Sequence, residues 1–231
     1  MDFKNIKRPL SLENIQVQKV IEIAKELIEQ NKVLKIKTLY DKAIKSLDIP
    51  GSAILEILEV LTNKKILIDG SKHTRDTILF NLYRKRIYKV INEQKGATFS
   101  FLRETIFTQS SGSAGQLLWH LKMLLKFNYI KKIKIGNYSV FLPIEMEDDL
   151  GKLHFYMKDE LNRKIIELLL HNNKITKTTI YKKINFKREN VNYRLKILLE
   201  NNILRYYDEL KKEISISPYM KNYLLIKNFN K

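Results

Sequence analysis

Residues 195–204 have the sequence LKILLENNIL, and the same pattern occurs twice upstream, as LEVLTNKKIL at residues 58–67 and LKMLLKFNYI at residues 121–130. Each copy has two leucines one helical turn apart, then mixed residues and a β-prone apolar pair. This spacing predicts a helix with one buried face that is followed by a strand. The repeat indicates three copies of one structural unit. The first leucine of each copy is expected to be buried, at Leu58, Leu121 and Leu195.

The third copy contains a complete order of elements. Thr176 is of a residue type that caps helices, and residues 185–187 are predicted to form a tight turn between two helices. Two alternating runs, ILRYYDEL and KKEISIS, lie on either side of a polar centre at residues 208–212, as in a β-hairpin, or wing, that follows a third helix. The predicted helices cover residues 157–172, 176–184 and 188–200.

The other two copies repeat this order, with helices predicted at residues 17–31, 36–47, 52–63, 84–94, 99–107 and 113–127. Residues 136–137, Gly-Asn, are predicted to be the turn of the middle wing. The first wing is expected to come from ILIDGSKHTRDTIL as two short strands. The sequence therefore predicts a mainly α-helical protein with small β wings, in three tandem winged helix-turn-helix domains at residues 1–80, 81–146 and 147–231.

Several kinds of chemistry are excluded by the residues present. Cysteine is absent, so there are no disulfides, thiolate metal sites or cysteine nucleophiles. The four histidines are too far apart in sequence to share a helix face as metal ligands. Common phosphate-binding and nucleophile motifs are missing. We therefore expect no enzymatic activity, no cofactor and no metal. The histidines are His73, His120, His154 and His171.

No apolar run has the ~18 residues of a membrane span, and the first ten residues lack a secretory signal, so a cytoplasmic location is expected. The formal net charge is +18, which favours a polyanionic partner, with nucleic acid ahead of an acidic membrane surface. Residues 1–80 have net charge +3, residues 81–145 have +8 and residues 146–231 have +7. The acidic residues 145–149 are interpreted as a linker or a helix start.

Two stretches resemble a known family, the archaeal transcriptional regulators with tandem winged-helix domains of the ArsR and MarR type. They are RKRIYKVINEQKGATFSFLRETIF, followed by GQLLWHLKMLLKFNYIKKIKIGNYSVFLP, and LNRKIIELLLHNNKITKTTIYKKINFKRENVNYRLKILLENNILRYY. Residues 119–121, Trp-His-Leu, match an aromatic-His-Leu string of that family, whereas residues 193–195, Tyr-Arg-Leu, differ at the middle position. The resemblance covers residues 84–217 and implies transcriptional regulation on double-stranded DNA.

In a helix-turn-helix unit the third helix lies in the major groove and its outward side chains contact base edges. With Leu117, Leu121 and Leu124 pointing inward, the outward residues of the middle copy are Ser113, Gln116 and His120. The corresponding residues of the third copy are Lys187, Asn190 and Arg194, and Arg188 and Tyr193 lie beside them. Arginine pairs with guanine and asparagine with adenine, each pair being worth about 1–3 kcal/mol. The third unit is therefore expected to supply most of the sequence discrimination.

The remaining candidate residues are given simpler roles. Wing lysines are suited to phosphate contacts. Trp119 is expected to be buried against a wing, and residues 206–207, Tyr-Tyr, are interpreted as strand residues and not as a stacking platform for unpaired bases. The wing lysines are Lys131, Lys132, Lys134, Lys211 and Lys212.

Residues 1–80 carry glutamates and lysines at helical spacing along their first helix, and with their low net charge they are expected to contact protein or to form a dimer. A homodimer is expected because one winged helix covers too few base pairs for useful discrimination. The sequence leaves two other functions open. One is a protein-assembly module without base contacts, as in ESCRT-II-type complexes and in transcription-initiation factors, and the other is RNA binding.

Overall fold

The structure is a computed structural model that describes residues 11–30, 32–107, 114–208, 210 and 212–229. The strands are short, and one 3-10 helix covers Asp76–Phe80. The helices are α1 (Ile15–Glu29), α2 (Ile36–Ser46), α3 (Gly51–Asn63), α4 (Leu82–Glu93), α5 (Phe99–Ile106), α6 (Ala114–Lys126), α7 (Asp148–Tyr156), α8 (Glu160–His171), α9 (Lys177–Lys183), α10 (Arg188–Glu200) and α11 (Pro218–Phe229). The strands are β1 (Ala97–Thr98), β2 (Ile130–Ile135), β3 (Tyr138–Pro143), β4 (Ile175–Thr176), β5 (Leu204–Asp208) and β6 (Glu213–Ile216).

The chain is mainly helical with small antiparallel sheets, as the sequence predicts, and this composition is compatible with winged helices. All nine predicted helices are present, and their described ends differ from the predicted ends by three residues at most. The three repeat leucines are buried as predicted, with exposed fractions of 3% for Leu58, 0% for Leu121 and 1% for Leu195. The leucine register of the repeat is therefore confirmed.

The third helix of each repeat ends in the same backbone motif. The seventh residue after each repeat leucine has a positive φ, at 56° for Lys65, 53° for Asn128 and 57° for Asn202. The amide of the next residue donates to a carbonyl oxygen five residues back, over 2.9 Å in the first repeat and 3.0 Å in the other two. This is the Schellman arrangement, in which a left-handed residue ends the helix and turns the chain into an extended segment.

The chain is divided into two compact units. Unit 1 consists of Met1–Lys89 and Thr105–Ile130, and unit 2 consists of Val90–Glu104 and Lys131–Lys231. The division passes through the middle predicted domain, so the boundaries at residues 80 and 146 stay a prediction.

In unit 1, the predicted first wing is wrong, because none of the described residues 66–80 is in a strand. The amides of Ile66 and Leu67 both donate to the carbonyl oxygen of Leu61, at the end of α3. Further along, the Gly70 amide donates to the Leu34 carbonyl oxygen at 2.8 Å, and the Asp69 carboxylate accepts the Ile36 amide at 2.8 Å. The segment therefore caps α2. Its amides and the Asp69 carboxylate form hydrogen bonds with α3, Leu34 and α2, and not with a second strand.

Two three-stranded antiparallel sheets have the same topology, β1-β3-β2 and β4-β6-β5. In each, a two-residue strand before the second helix pairs with the last strand of the wing, Ala97 opposite Phe141 in one and Ile175 opposite Ile214 in the other. The predicted turn at residues 136–137 is confirmed, and Gly136 has a φ of 55°. The two later repeats therefore have the same strand order.

One core of unit 2 is formed by α7, α8, α9, α10, α11 and the β4-β6-β5 sheet. The acidic residues 145–149 lead into α7, in agreement with one of their two interpretations. Helix α11 was not predicted from the sequence. It contacts α7 through a 2.7 Å hydrogen bond between His154 Nε2 and the Tyr223 hydroxyl, and through the Tyr219 hydroxyl, which donates to Glu147 at 2.5 Å.

Candidate nucleic-acid interface

The exposed start of α10 is the candidate base-contacting surface. Val191, Leu195 and Leu198 are buried in the core, which turns the opposite side of the helix towards solvent. Lys187 is the N-cap residue, and its side chain makes no capping hydrogen bond. Lys187, Arg188, Asn190 and Tyr193 are all exposed, as expected for outward residues. Among the described residues, none forms an ion pair with Lys187 or Arg188.

Helix α9 supports the Arg188 side chain. The guanidinium carbon of Arg188 lies 4.9 Å from the centroid of the Tyr181 ring. The Tyr181 hydroxyl donates in turn to Asn192 Oδ1 at 2.5 Å. A cation held over an aromatic ring keeps its hydrogen-bond donors available at the edge. The stack therefore orders Arg188 without consuming the groups that would pair with a base or a phosphate.

Arg194 lies in a different environment from the one that the sequence predicts. It is half-buried, and its guanidinium donates to Asp159 Oδ2 at 2.8 Å. Asp159 also caps α8 by accepting the Asn162 amide at 3.0 Å. Because α8 approaches α10 at this point, the side chain that helical spacing assigns to solvent meets a carboxylate. Contact between Arg194 and a base requires this ion pair to break.

Two lysines that flank β4 contact the third wing and add cations that the sequence analysis did not identify. Lys174 Nζ forms a 3.0 Å ion pair with Glu213, and this bond raises the pKa of Lys174. The same group lies 4.7 Å from the centroid of the Tyr207 ring. Lys177 Nζ donates to the Tyr206 hydroxyl at 3.1 Å. Both tyrosines are exposed strand residues, so their interpretation as strand residues is confirmed. In the sequence, these two lysines lie on either side of residues 175–176. They were not recognised as candidates because the two-residue strand β4 is too short to be predicted.

The remaining wing lysines differ in availability. Lys131 forms a 2.8 Å ion pair with Asp148 of α7. Lys132, Lys134 and Lys212 are exposed. Lys211 and Ser113 lie outside the described residues.

In unit 1, the prediction that His120 faces outward is wrong, since the side chain is only 3% exposed. Leu117, Leu121 and Leu124 form the buried stripe of α6, and His120 lies on that stripe, one turn from both Leu117 and Leu124. Gln116 is exposed as predicted.

Trp119 also differs from its prediction, because half of its side chain is exposed. The guanidinium of Arg84 lies 5.5 Å from its ring centroid, and the His120 ring lies 5.1 Å away. Arg84 itself is 4% exposed. The indole covers two buried polar groups and presents its other side to solvent.

Among the described residues, no helix has the length and apolarity needed to span a membrane. Over the same residues, no cluster of three or more histidine, aspartate or glutamate side chains could hold a metal ion.

Within unit 2, the order α8, β4, α9, α10, β5, β6 is compatible with the winged helix-turn-helix class. No family model matches the chain. The chain is 32% identical over 162 residues to an uncharacterized HTH-type transcriptional regulator of Methanocaldococcus jannaschii. The match covers 67% of this chain and 39% of the relative, so the chain spans well under half of that protein.

Proposed function

We propose that the protein is a DNA-binding transcriptional regulator that places α10 in the major groove of duplex DNA. The observation that carries the proposal is the exposed basic start of α10, where Lys187 and Arg188 have no ion-pair partner among the described residues. The similar archaeal protein is named an HTH-type transcriptional regulator, which supports the same class of function. Partial positive charge at a helix N-terminus adds to the attraction for phosphate.

Base contacts and phosphate contacts are assigned to different residues of the basic surface. Arg188 and Asn190 have the side chains that pair with guanine and adenine, so they supply base contacts. Lys132, Lys134 and Lys212 supply phosphate contacts that are independent of sequence. The Tyr206 and Tyr207 rings, each beside a lysine, lie on the wing where it would approach the sugar-phosphate backbone.

The experiment is a fluorescence-anisotropy titration of the full chain with a labelled random 30-bp duplex at 50 and 200 mM salt. We expect affinity to fall by a factor of ten or more between the two conditions, since each neutralised phosphate contributes a slope of about −0.9 in log K against log[salt]. Unlabelled duplex RNA and single-stranded RNA serve as competitors. Stronger competition by either RNA than by duplex DNA, or the absence of binding at 50 mM salt, would refute the proposal.

A second candidate function, protein assembly, rests on a different observation. The outer face of α6 carries Leu118 and Trp119, which are 45% and 50% exposed. Phe80 and Leu82 of the same unit are 78% and 80% exposed. Interfaces are enriched in such aromatic side chains, whereas base-contacting helices carry polar groups. We propose that unit 1 contributes a protein contact, with a second copy of this chain as partner.

The oligomeric state tests this contact. Light scattering on the full chain should give the mass of a dimer, and the double variant Leu82→Glu/Trp119→Ala should give that of a monomer. Leu55→Glu, at a side chain that is 55% exposed on α3, is the matched control and should leave the dimer intact. A monomeric wild-type chain would refute the contact without affecting the DNA-binding proposal.

A further inference from the structure

The third wing carries two exposed aromatic rings, each with a lysine ammonium beside it. Tyr206 is 41% exposed and Tyr207 is 57% exposed on β5. Lys177 Nζ lies 5.4 Å from the centroid of the Tyr206 ring, and Lys174 Nζ lies 4.7 Å from that of the Tyr207 ring. A strand position accounts for two tyrosines in β5, because tyrosine favours strands, but it does not account for an ammonium at each ring.

A β-bulge interrupts β5 at these tyrosines. Tyr206 is opposite Ile214 of β6 and Asp208 is opposite Glu213, so Tyr207 is the extra residue of the bulge. A bulge bends its strand and changes the direction of the side chains, and bulges are frequent next to functional sites. Because each ring has one ammonium beside it and much of each side chain remains exposed, ring surface is available to a ligand.

The charge of the third wing is positive and mostly unpaired. Arg205 and Lys212 are exposed, and neither has a carboxylate partner among the described residues. Lys177 donates to a tyrosine hydroxyl at 3.1 Å and also forms no ion pair with a described carboxylate. Lys174 differs, since it pairs with Glu213. Cations beside exposed aromatic rings are typical of sites for single-stranded nucleic acid, where the phosphates meet the cations and the bases stack on the rings.

The tip of the third wing adds an apolar group. Leu210 lies between β5 and β6 and is 96% exposed, the largest exposed fraction of any large apolar side chain among the described residues. In minor-groove-binding proteins, apolar side chains insert between base steps at the cost of unstacking them. The end of a duplex presents the same base surface without that cost. A leucine in this position is therefore suited to pack against a terminal base pair.

The middle wing lacks this combination. Its Tyr138 is 59% exposed, and the ring centroid lies 5.5 Å from that of Phe155. Over the described residues, no cation lies on the Tyr138 ring, in contrast to the two tyrosines of the third wing. The pairing of ring and ammonium is thus a property of the third wing and not of exposed wing tyrosines in general.

We propose that the third wing binds the unpaired bases of a single DNA strand at the point where that strand leaves a duplex. Bases stack on the rings of Tyr206 and Tyr207, the adjacent phosphates pair with Arg205 and Lys212, and Leu210 packs against the last base pair. The inference rests on the proposed function for the duplex side of the junction, where α10 lies in the major groove. The wing that follows α10 in the chain supplies the single-strand side.

The test is an anisotropy titration of the full chain with labelled forms of one 15-bp duplex. The forms are blunt, extended by ten thymidines at the 3′ end, extended by ten thymidines at the 5′ end, and extended by abasic overhangs of equal length. We expect one of the thymidine overhangs to tighten binding about tenfold relative to the blunt duplex, as expected from one or two stacked bases.

The abasic overhangs keep the phosphates and lack the bases, so they should bind within about threefold of the blunt duplex, because added phosphates alone contribute only electrostatic attraction. Equal affinity for the thymidine and abasic overhangs would show that only phosphates are bound. Such a result, or equal affinity for the blunt duplex and both thymidine overhangs, would overturn the proposal.

Variants locate the site on the third wing. Tyr206→Ala and Tyr207→Ala should each lower the ratio of overhang affinity to blunt affinity by at least about threefold, because each removes a stacking ring. Tyr207→Phe keeps the ring and should keep the ratio, whereas Leu210→Ser should lower it. Tyr138→Ala, at the exposed tyrosine of the middle wing, is the matched control and should leave the ratio unchanged. Equal losses in Tyr138→Ala and Tyr207→Ala would remove the site from the third wing.

The same titrations separate this inference from the proposed function. Binding of the blunt duplex without preference for an overhang overturns the inference and leaves the proposed function standing. Binding of the overhang duplex that depends on Tyr207, without binding of the blunt duplex, supports the wing site and overturns the placement of α10 on duplex DNA. An overhang of ten uridines in RNA is the last probe, and tighter binding of this form than of the thymidine overhang would overturn the assignment to DNA.

Discussion

At the scale of single residues, the repeat leucines could be predicted because helical spacing alone places them on one face. Leu117, Leu121 and Leu124 behave as that spacing requires. Neighbours at the edge of the stripe could not be placed so simply. The buried face of α6 is wider than the three leucines alone indicate. It includes His120, whereas Trp119 lies at its edge and is half-exposed. The Arg194 ion pair depends on α8, which is far away in sequence.

The leucine register makes a direct stability prediction. Leu121→Ala and Leu195→Ala should each lower the free energy of unfolding by about 2–5 kcal/mol, because each removes a fully buried side chain. Leu118→Ala, at a side chain 45% exposed on the same helix as Leu121, is the control and should cost less than about 1 kcal/mol. Urea unfolding followed by circular dichroism measures all three. A small cost at Leu121 or Leu195 would contradict the shared core position.

His120 makes the stability depend on pH. Its ring is buried without a hydrogen-bond partner among the described residues, and desolvation, with a smaller contribution from the Arg84 charge, lowers its pKa from 6.5. The unfolded chain therefore binds a proton that the folded chain resists, so stability is full above about pH 6.5 and decreases as pH falls below it.

The measurement is urea unfolding between pH 8 and pH 5 for the wild type and His120→Phe. The variant keeps a ring beside Tyr83, whose centroid lies 5.5 Å from that of His120, and should lose part of the dependence. The remainder is expected from His73, whose pKa desolvation also lowers. Identical pH profiles for the wild type and the variant would show that the His120 ring is not desolvated.

At the scale of elements, the helices were predictable because their caps and apolar spacing are local. The ends of the third helices follow from the same repeat, since each places its left-handed residue at one position. The first wing was not predictable from local pattern. Its apolar residues look like a strand, but the segment is used to cap α2 through Asp69. Helix α11 could not be predicted because its apolar residues show little helical periodicity. Its buried residues pack in the same core cluster as α7.

The shared helix end gives a prediction for the first repeat. Lys65 has a φ of 56°, which costs a residue with a side chain roughly 1 kcal/mol relative to glycine. Lys65→Gly should therefore raise the free energy of unfolding by up to about 1 kcal/mol. Lys64→Gly is the matched control, because Lys64 has a φ of −77°, and it should destabilise. Thermal unfolding of both variants distinguishes them, and a loss of stability in Lys65→Gly would contradict the role of the motif.

At the scale of the whole molecule, net charge could be calculated from composition, but the availability of each cation could not. Lys131 is paired with Asp148, whereas Lys132 and Lys134 lie exposed on the same strand. The three-domain organisation stays a prediction, because repeats in sequence do not determine how the folded chain divides into compact units. A cleft beside α10 could not be predicted from the sequence either, since its walls come from seven separate elements.

The wing lysines give a prediction about affinity. Lys132→Ala and Lys134→Ala should each weaken binding to all duplex sequences about equally and reduce the salt slope by about one, provided that each lysine contacts one phosphate. Lys131→Ala should have a smaller effect, because its ammonium is already paired with Asp148. Anisotropy titrations over a range of salt concentrations measure the slopes. Equal slopes for all three variants and the wild type would remove the middle wing from the interface.

The measurement that tests the central claim most directly compares base discrimination at the start of α10. Selection from random duplexes provides a preferred site, and the affinities of the wild type, Arg188→Ala and Asn190→Ala are then measured for that site and for a scrambled duplex. We predict that each variant loses about 1–3 kcal/mol for the preferred site and little for the scrambled one, because base contacts specify and phosphate contacts only position. A selection that enriches no sequence, or variants that keep the full preference, would contradict the placement of α10 in the major groove.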